Sequence, residues 1–225
     1  MLRHTILMAL LAVLASPTAS AAGDAFACPA VGPDAAAVAP ARESGSDAPF
    51  TRPEATVPDA KRTARGLYVT AVDAYQMVTG DPAGTLFIDV RTRGELQFIG
   101  MPTPVDAHVP VVVETVPLQW DDAASSFKLA PNPGFVAAVD QRLAQKGLTR
   151  AATVIVICQS GLRAARAANA LTQSGYASVY TVVDGFEGDP VAEGPSKGQR
   201  LVNGWRNAGL PWTAKLDRAR MYGLD

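Results

Sequence analysis

Cysteine and histidine are scarce in this sequence, and their scarcity excludes several kinds of site. The chain has two cysteines, Cys28 and Cys158, and only one histidine beyond its N-terminal residues, His108. Structural zinc sites draw most of their ligands from these two residue types, so we expect no metal centre and no other cofactor. The cysteines form no Cys-x-x-Cys motif, which disfavours a redox protein that uses both thiols.

A surplus of charge and a long apolar run are absent as well. The net charge is −1, which offers no electrostatic attraction to nucleic acid or to an acidic membrane surface. No segment reaches the roughly 18 consecutive apolar residues of a spanning helix, so we expect no stable membrane span. The 48% hydrophobic and 18% charged residues are typical of a soluble globular protein.

The N-terminal residues have the pattern of a secretory signal peptide. A short basic start precedes ten apolar residues at 5–14, and Ala19 and Ala21 offer a small-x-small cleavage site. We therefore predict a cleavable signal peptide over residues 1–22 and a periplasmic or secreted mature chain. A retained membrane anchor is the alternative.

Residues 23–62 are dominated by Ala, Pro, Gly, Asp and Ser, and we predict that they form a disordered linker. Cys28 lies within this segment. In an oxidising compartment it could pair with Cys158, and lipidation of Cys28 is a second alternative.

Strand and helix patterns alternate from residue 63 onward, which predicts an α/β fold. The expected result is a central, mostly parallel sheet of about five strands flanked by helices. The predicted strands are residues 66–69, 85–90, 107–113, 153–157 and 178–183. The predicted helices are residues 71–78, 93–98, 135–143 and 164–171, and residues 118–133 are expected to be irregular.

Cys158 is the residue with the clearest chemical signal. It ends an apolar strand pattern and precedes the polar residues Gln159, Ser160 and Gly161 and then an alanine-rich helix. Loop N–H groups and a helix N-terminus would face its sulfur and stabilise an anion there, so we predict a reactive thiolate. The alternative is an inert buried cysteine.

Three motifs in order resemble the rhodanese family of sulfurtransferases. They are residues 90–110, the Cys158 loop, and an ending that contains Asp184-Gly185, Gly204-Trp205 and Gly209-Leu210-Pro211. The likeness spans about residues 65–212. It implies a three-layer sandwich and one rhodanese-like domain over residues 63–225 with a C-terminal extension.

The resemblance also implies roles for individual residues. Cys158 would form a persulfide, with sulfane sulfur passing from an anionic donor such as thiosulfate to cyanide or a thiol, a protein thiol among them. The transferred sulfur and the donor would be held by Gln159, Ser160, Gly161, Leu162 and Arg163. Ion pairs that support this loop would be formed by Asp89, Arg91 and Glu95.

The length of the loop favours sulfur over phosphate chemistry. Four residues separate Cys158 from Arg163, whereas phosphatases related to this fold have a longer loop that surrounds a tetrahedral phosphate. Sulfur transfer by a thiolate needs no general base, so His108 is expected to be a strand or surface residue.

Three departures from the family pattern change the rim around Cys158. Gly100-Met101-Pro102 with an added run to residue 107 replaces the usual Gly-His-Ile, Asp184-Gly185 replaces Gly-Gly, and residues 187–200 are longer than a minimal member needs. These departures bear on the donor and acceptor rather than on the reaction type. The alternative function is a non-catalytic sulfur carrier or partner-docking module of a periplasmic redox or sulfur-oxidation system.

Overall fold

Strands and helices alternate along residues 56–224, the part of the chain that the structure, a computed structural model, describes. The strands are β1 (Tyr68–Val69), β2 (Thr85–Asp89), β3 (Met101–Pro102), β4 (Ala107–His108), β5 (Val112–Glu114), β6 (Trp120–Asp121), β7 (Ser126–Phe127), β8 (Leu129–Pro131), β9 (Thr153–Ile157), β10 (Ser178–Val182) and β11 (Trp212–Thr213). The α-helices are α1 (Ala71–Gly80), α2 (Arg93–Ile99), α3 (Phe135–Gln145) and α4 (Leu162–Gln173).

The central sheet has five strands in the order β1-β10-β9-β2-β4, and all of its pairings are parallel. Its middle strands β9 and β2 are buried apolar runs, as expected of a parallel sheet covered on both faces. The predicted α/β fold with a parallel sheet of about five strands is therefore confirmed.

Helices cover both faces of the sheet, which gives three layers. Alternate residues of β2 point to opposite faces: Leu86 and Ile88 pack in one apolar cluster, and Phe87 in the other. The first cluster contains residues of α3 and α4, and the second contains residues of α1 and α2. Each cluster excludes water from one side of β9, the strand that leads to Cys158.

Two helices begin with the same capping motif. Thr70 accepts a hydrogen bond from the N–H of Asp73 at the start of α1, and Thr92 does so with Glu95 at the start of α2. In each case the acidic side chain accepts in return from the N–H of the threonine, which forms a capping box. The second box fixes Glu95 at the end of the sheet where Cys158 lies.

The predicted strand over residues 107–113 is wrong in its extent. β4 ends at His108, and β5 leaves the central sheet to pair with β8. Pro110 lies between them and has no N–H to donate to a continuing ladder. Residues 118–133, expected to be irregular, contain the β6–β7 pair and β8.

The folded domain begins before the predicted boundary at residue 63. Val57 is 2% exposed and packs with Tyr68 and Val183, and the side chain of Lys61 is buried as well. Residues 56–62 therefore pack on the domain through the buried side chains of Val57 and Lys61, in contrast to the predicted disordered linker. The rest of that linker, the predicted signal peptide and Cys28 lie outside the described residues.

Within residues 56–224, no helix is both long enough and apolar enough to cross a membrane.

Candidate functional site

Cys158 lies at the carboxyl end of β9, between that strand and α4. The residue is 1% exposed, and its Sγ accepts hydrogen bonds from the N–H groups of Gly161 at 3.1 Å and Ala164 at 3.3 Å. The N-terminal end of α4 adds the positive end of its helix dipole to these two donors. The surroundings of this sulfur therefore favour negative charge on it.

Gly161 makes the turn between Cys158 and α4 possible. It has φ +95°, a left-handed conformation, and a Cβ at this position would lie 2.3 Å from the carbonyl oxygen of Val183. Any other residue would combine backbone strain with a clash against a strand end. Glycine is thus required for the N–H of residue 161 to reach the sulfur.

Gln159 fastens the loop to the segment after β10. Its carbonyl oxygen accepts from the N–H groups of Glu187 at 3.0 Å and Gly188 at 3.2 Å, and its side-chain amide donates to the carboxylate of Glu187 at 3.0 Å. Gly185 permits this approach, because a Cβ there would lie 2.5 Å from backbone atoms of Gln159. Gln159 is therefore held in the loop through both its backbone carbonyl and its side chain.

The remaining predicted loop residues differ in their exposure. Ser160 is buried, whereas Leu162, the first residue of α4, is 45% exposed. Phe98 of α2 is 88% exposed and lies one helical turn from Glu95, the carboxylate that contacts α4. An exposed apolar side chain thus lies on each of the two helices that meet beside the cysteine loop.

Arg163 forms a two-pronged ion pair with Glu95. Its Nη1 lies 2.6 Å from Oε2, its Nη2 bonds Oε1, and each side chain is 18% exposed. Burial alone would raise the pKa of Glu95, but the hydrogen bonds and charge of Arg163, together with the hydrogen bonds from Thr92, hold this pKa below its usual value. Burial alone would likewise lower the pKa of Arg163, and Glu95 reverses the direction. Both groups are therefore charged at neutral pH.

Asp89 and Arg91 form a second pair, with both side chains 0% exposed. Arg91 Nη2 donates to Asp89 Oδ2 at 2.6 Å and to the carbonyl oxygen of Gly100 at 2.7 Å. Its guanidinium lies 4.2 Å from the ring centre of Phe186, whose N–H donates to the carbonyl oxygen of Cys158 at 2.8 Å. This pair contacts Phe186, which bonds the backbone of Cys158, whereas Glu95 bonds Arg163 of the predicted loop directly.

His108 is a buried residue of β4, and its Nε2 lies 2.8 Å from the carbonyl oxygen of Arg91. Burial is the largest influence on this side chain and lowers its pKa from the usual value. The structure thus places the histidine in a strand, one of the two expected positions, and leaves it neutral at neutral pH.

Two polar residues near the loop were not assigned a role from the sequence. Asp184 accepts the N–H of Ala71 at 2.8 Å and so stabilises the first turn of α1. Lys61 donates to the carbonyl oxygen of Val183 at 2.9 Å, on the strand end that faces Gly161. No sequence signal pointed to Lys61, because its partners are more than 100 residues away.

Within the described residues, no three or more His, Cys, Asp and Glu side chains converge as a metal site would require.

Comparison with known proteins identifies the family. The model of the rhodanese-like domain matches residues 70–188. The uncharacterized protein RC0915 of Rickettsia conorii is 28% identical over 144 residues, which are 64% of this chain and 94% of that protein. The crystal structure of Rv0390 from M. tuberculosis is 30% identical, covers 66% of this chain and 97% of its own, and has a TM-score of 0.48.

A second solved structure is the polysulfide-sulfur transferase homodimer from Wolinella succinogenes. It is 23% identical, covers 71% of this chain and 85% of its own, and has a TM-score of 0.39.

Proposed function

Because the chain belongs to the rhodanese-like domain family, we propose that it is a sulfurtransferase in which Cys158 carries the transferred sulfur as a persulfide. The observation that carries this proposal is the pair of backbone N–H groups on Sγ at the start of α4. These donors are fixed by the fold, so they match an anionic sulfur without reorganisation.

The first half-reaction loads the cysteine. The Cys158 thiolate attacks the outer sulfur of a donor such as thiosulfate, a new S–S bond forms, and the bond between the two donor sulfurs breaks. Its electron pair leaves with sulfite, and the negative charge remains on the terminal sulfur of the persulfide. Covalent catalysis of this kind divides one difficult transfer into two easier ones.

The second half-reaction removes the transferred sulfur from Cys158. Cyanide or a thiolate acceptor attacks the terminal sulfur, and the S–S bond breaks with return of its electron pair to Cys158 as thiolate. The products are thiocyanate or a new persulfide, and no proton has to be moved by a protein base. This agrees with the position of His108, which is buried and bonded to a backbone carbonyl.

We propose that the donor is held by the loop from Gln159 to Arg163. Gly161 contributes its N–H, and Arg163 neutralises the carboxylate of Glu95 at the rim. Because the Glu95–Arg163 pair has no net charge, the loop N–H groups contribute most of the binding of the anionic donor. Such a site suits a small donor with one reacting sulfur.

Sulfur carriage for a protein partner is the second candidate function, and the burial of Cys158 favours it. A sulfur that is 1% exposed is poorly accessible to free solutes, whereas Phe98 and Leu162 beside the loop are exposed apolar side chains that a partner could cover. In this case the persulfide would form, but turnover with small acceptors would be slow.

We propose that the protein works in the periplasm or outside the cell. The support for this location is the signal-peptide pattern of residues 1–22. Cell fractionation with antibody detection tests it: the location is wrong if the full-length chain stays in the cytoplasm.

Sulfur transfer from thiosulfate to cyanide, with thiocyanate as the readout, tests the catalytic proposal. We expect turnover by the wild type and none by Cys158→Ser. Equal inactivity of both proteins with thiosulfate and with organic persulfides would overturn the enzymatic function. A wild type that forms the persulfide but produces no thiocyanate would favour sulfur carriage for a protein partner.

A further inference from the structure

Two segments beyond the family-matched residues 70–188 meet at the Cys158 loop. One is residues 56–64, the N-terminal strap. The other begins at Asp189, directly after the matched region. Lys61 of the strap bonds Asp189, so the contact joins two segments that lie outside the matched residues.

Lys61 is buried in an unusual way for a lysine, since it is 7% exposed. Its Nζ donates to both carboxylate oxygens of Asp189, at 2.7 and 2.9 Å, and to the carbonyl oxygen of Val183 at 2.9 Å. The ammonium thus makes three hydrogen bonds to two partners, one carboxylate and one carbonyl oxygen, which fix its position.

The stem of Lys61 lies against the cysteine loop. A Cβ on Gly161 would lie 3.0 Å from Lys61 Cδ and 2.3 Å from the Val183 carbonyl oxygen that Lys61 bonds. Lys61 therefore supports the wall behind Gly161, whose N–H donates to Cys158 Sγ.

Asp189 is itself held in place. Its N–H donates to Asn203 Oδ1 at 2.8 Å, and Asn203 Nδ2 donates to its carboxylate at 3.1 Å. The preceding residue, Gly188, donates its N–H to the carbonyl oxygen of Gln159. Lys61 thus contacts the loop at Gly161, and Gly188, the residue before Asp189, contacts the loop at Gln159.

We propose that Lys61 and Asp189 form a clamp on the Cys158 loop, with Lys61 as a positioning residue that keeps the N–H groups of Gly161 and Ala164 on the sulfur. The catalytic consequence rests on the proposed sulfur transfer. The effect on the N–H groups of Gly161 and Ala164 does not rest on it, because that effect can be measured without any substrate.

The test compares Lys61→Met with a matched control, Lys146→Met. Lys146 also bonds a backbone carbonyl and an aspartate, Thr85 at 2.6 Å and Asp106 at 2.7 Å, but at the start of β2, the opposite end of the sheet. Each change removes one ammonium and keeps an unbranched stem, so a general loss of stability affects both variants.

Amide hydrogen exchange measured by NMR at Gly161 and Ala164 is the first readout. We expect about tenfold faster exchange in Lys61→Met, the equivalent of one hydrogen bond, and wild-type exchange in Lys146→Met. The second readout is kcat/KM for sulfur transfer, which should fall about tenfold in Lys61→Met alone. Asp189→Asn, which keeps the lysine stem and its carbonyl bond, should change both readouts in the same direction and by less.

Unchanged exchange at Gly161 and Ala164 in both Lys61→Met and Asp189→Asn would overturn the clamp. Faster exchange with wild-type kcat/KM would overturn the positioning role. If the wild type forms no persulfide, the proposed function and its catalytic consequence fail together, and the exchange measurement alone decides whether the clamp exists.

Discussion

Two carboxylate–arginine pairs lie near the carboxyl end of strand β2, and the same chemistry serves two different places. Asp89 and Arg91 are two residues apart and wholly buried. Glu95 and Arg163 are 68 residues apart, each is 18% exposed, and they join α2 to the first turn of α4. The difference teaches that the inner pair, Asp89–Arg91, belongs to the scaffold at the end of the sheet, whereas the outer pair, Glu95–Arg163, neutralises a carboxylate beside the cysteine.

The largest effect is expected from Arg91→Met. It leaves the Asp89 carboxylate buried without its partner, which costs about 3–5 kcal/mol of unfolding free energy. Urea unfolding followed by circular dichroism measures this loss. The double variant Asp89→Leu with Arg91→Met should recover much of it, because no unpaired charge remains. A stability loss below that of Arg163→Met would contradict the assignment of the inner pair to the scaffold.

Arg163→Met should have a smaller effect on stability and a larger one on chemistry. The partner it leaves, Glu95, can reach water and keeps its bonds to Thr92, so we expect a loss of about 1–2 kcal/mol. Sulfur transfer by the folded variant should fall about tenfold or more, because a negative carboxylate then faces the anionic donor. Steady-state kinetics with thiosulfate measure it. Wild-type kcat/KM would contradict a role of the outer pair at the site.

Glu95→Gln should have the smallest effect at neutral pH, and its signature is the pH dependence of stability. The pKa of Glu95 is lowered in the folded protein, so this side chain adds stability above its unfolded value near 4.5, and the contribution is lost as the pH falls through the folded value. The difference between wild type and Glu95→Gln should therefore be about 1 kcal/mol at pH 7 and shrink below pH 4.5.

Unfolding curves of both proteins between pH 7 and pH 3 check this prediction. A constant difference over that range would show that the carboxylate contributes through packing and not through its charge.

Local signals in the sequence predicted most of the architecture. The apolar runs at β2 and β9 and the position of Cys158 at a strand end depend on neighbours in the chain, so their patterns are visible in the sequence.

The features that the sequence did not predict depend on distant partners. The resemblance implied that Glu95 supports the loop in an ion pair, but it did not give Arg163 as the partner. Nothing near Lys61 indicates that it bonds Asp189. The strand predicted over residues 107–113 is too long for a related reason. The apolar pattern continues past Pro110, but the pairing partner changes from β2 to β8. Periodicity reports burial, but it does not report which strand or charge lies opposite.

The central claim is that Cys158 becomes a persulfide, and intact mass spectrometry after incubation with thiosulfate tests it most directly. A Cys28→Ser background leaves Cys158 as the only thiol. The account predicts a gain of one sulfur atom that dithiothreitol removes and that Cys158→Ser abolishes. No added sulfur from thiosulfate or from any organic persulfide, in a folded protein with an intact thiol, would contradict it.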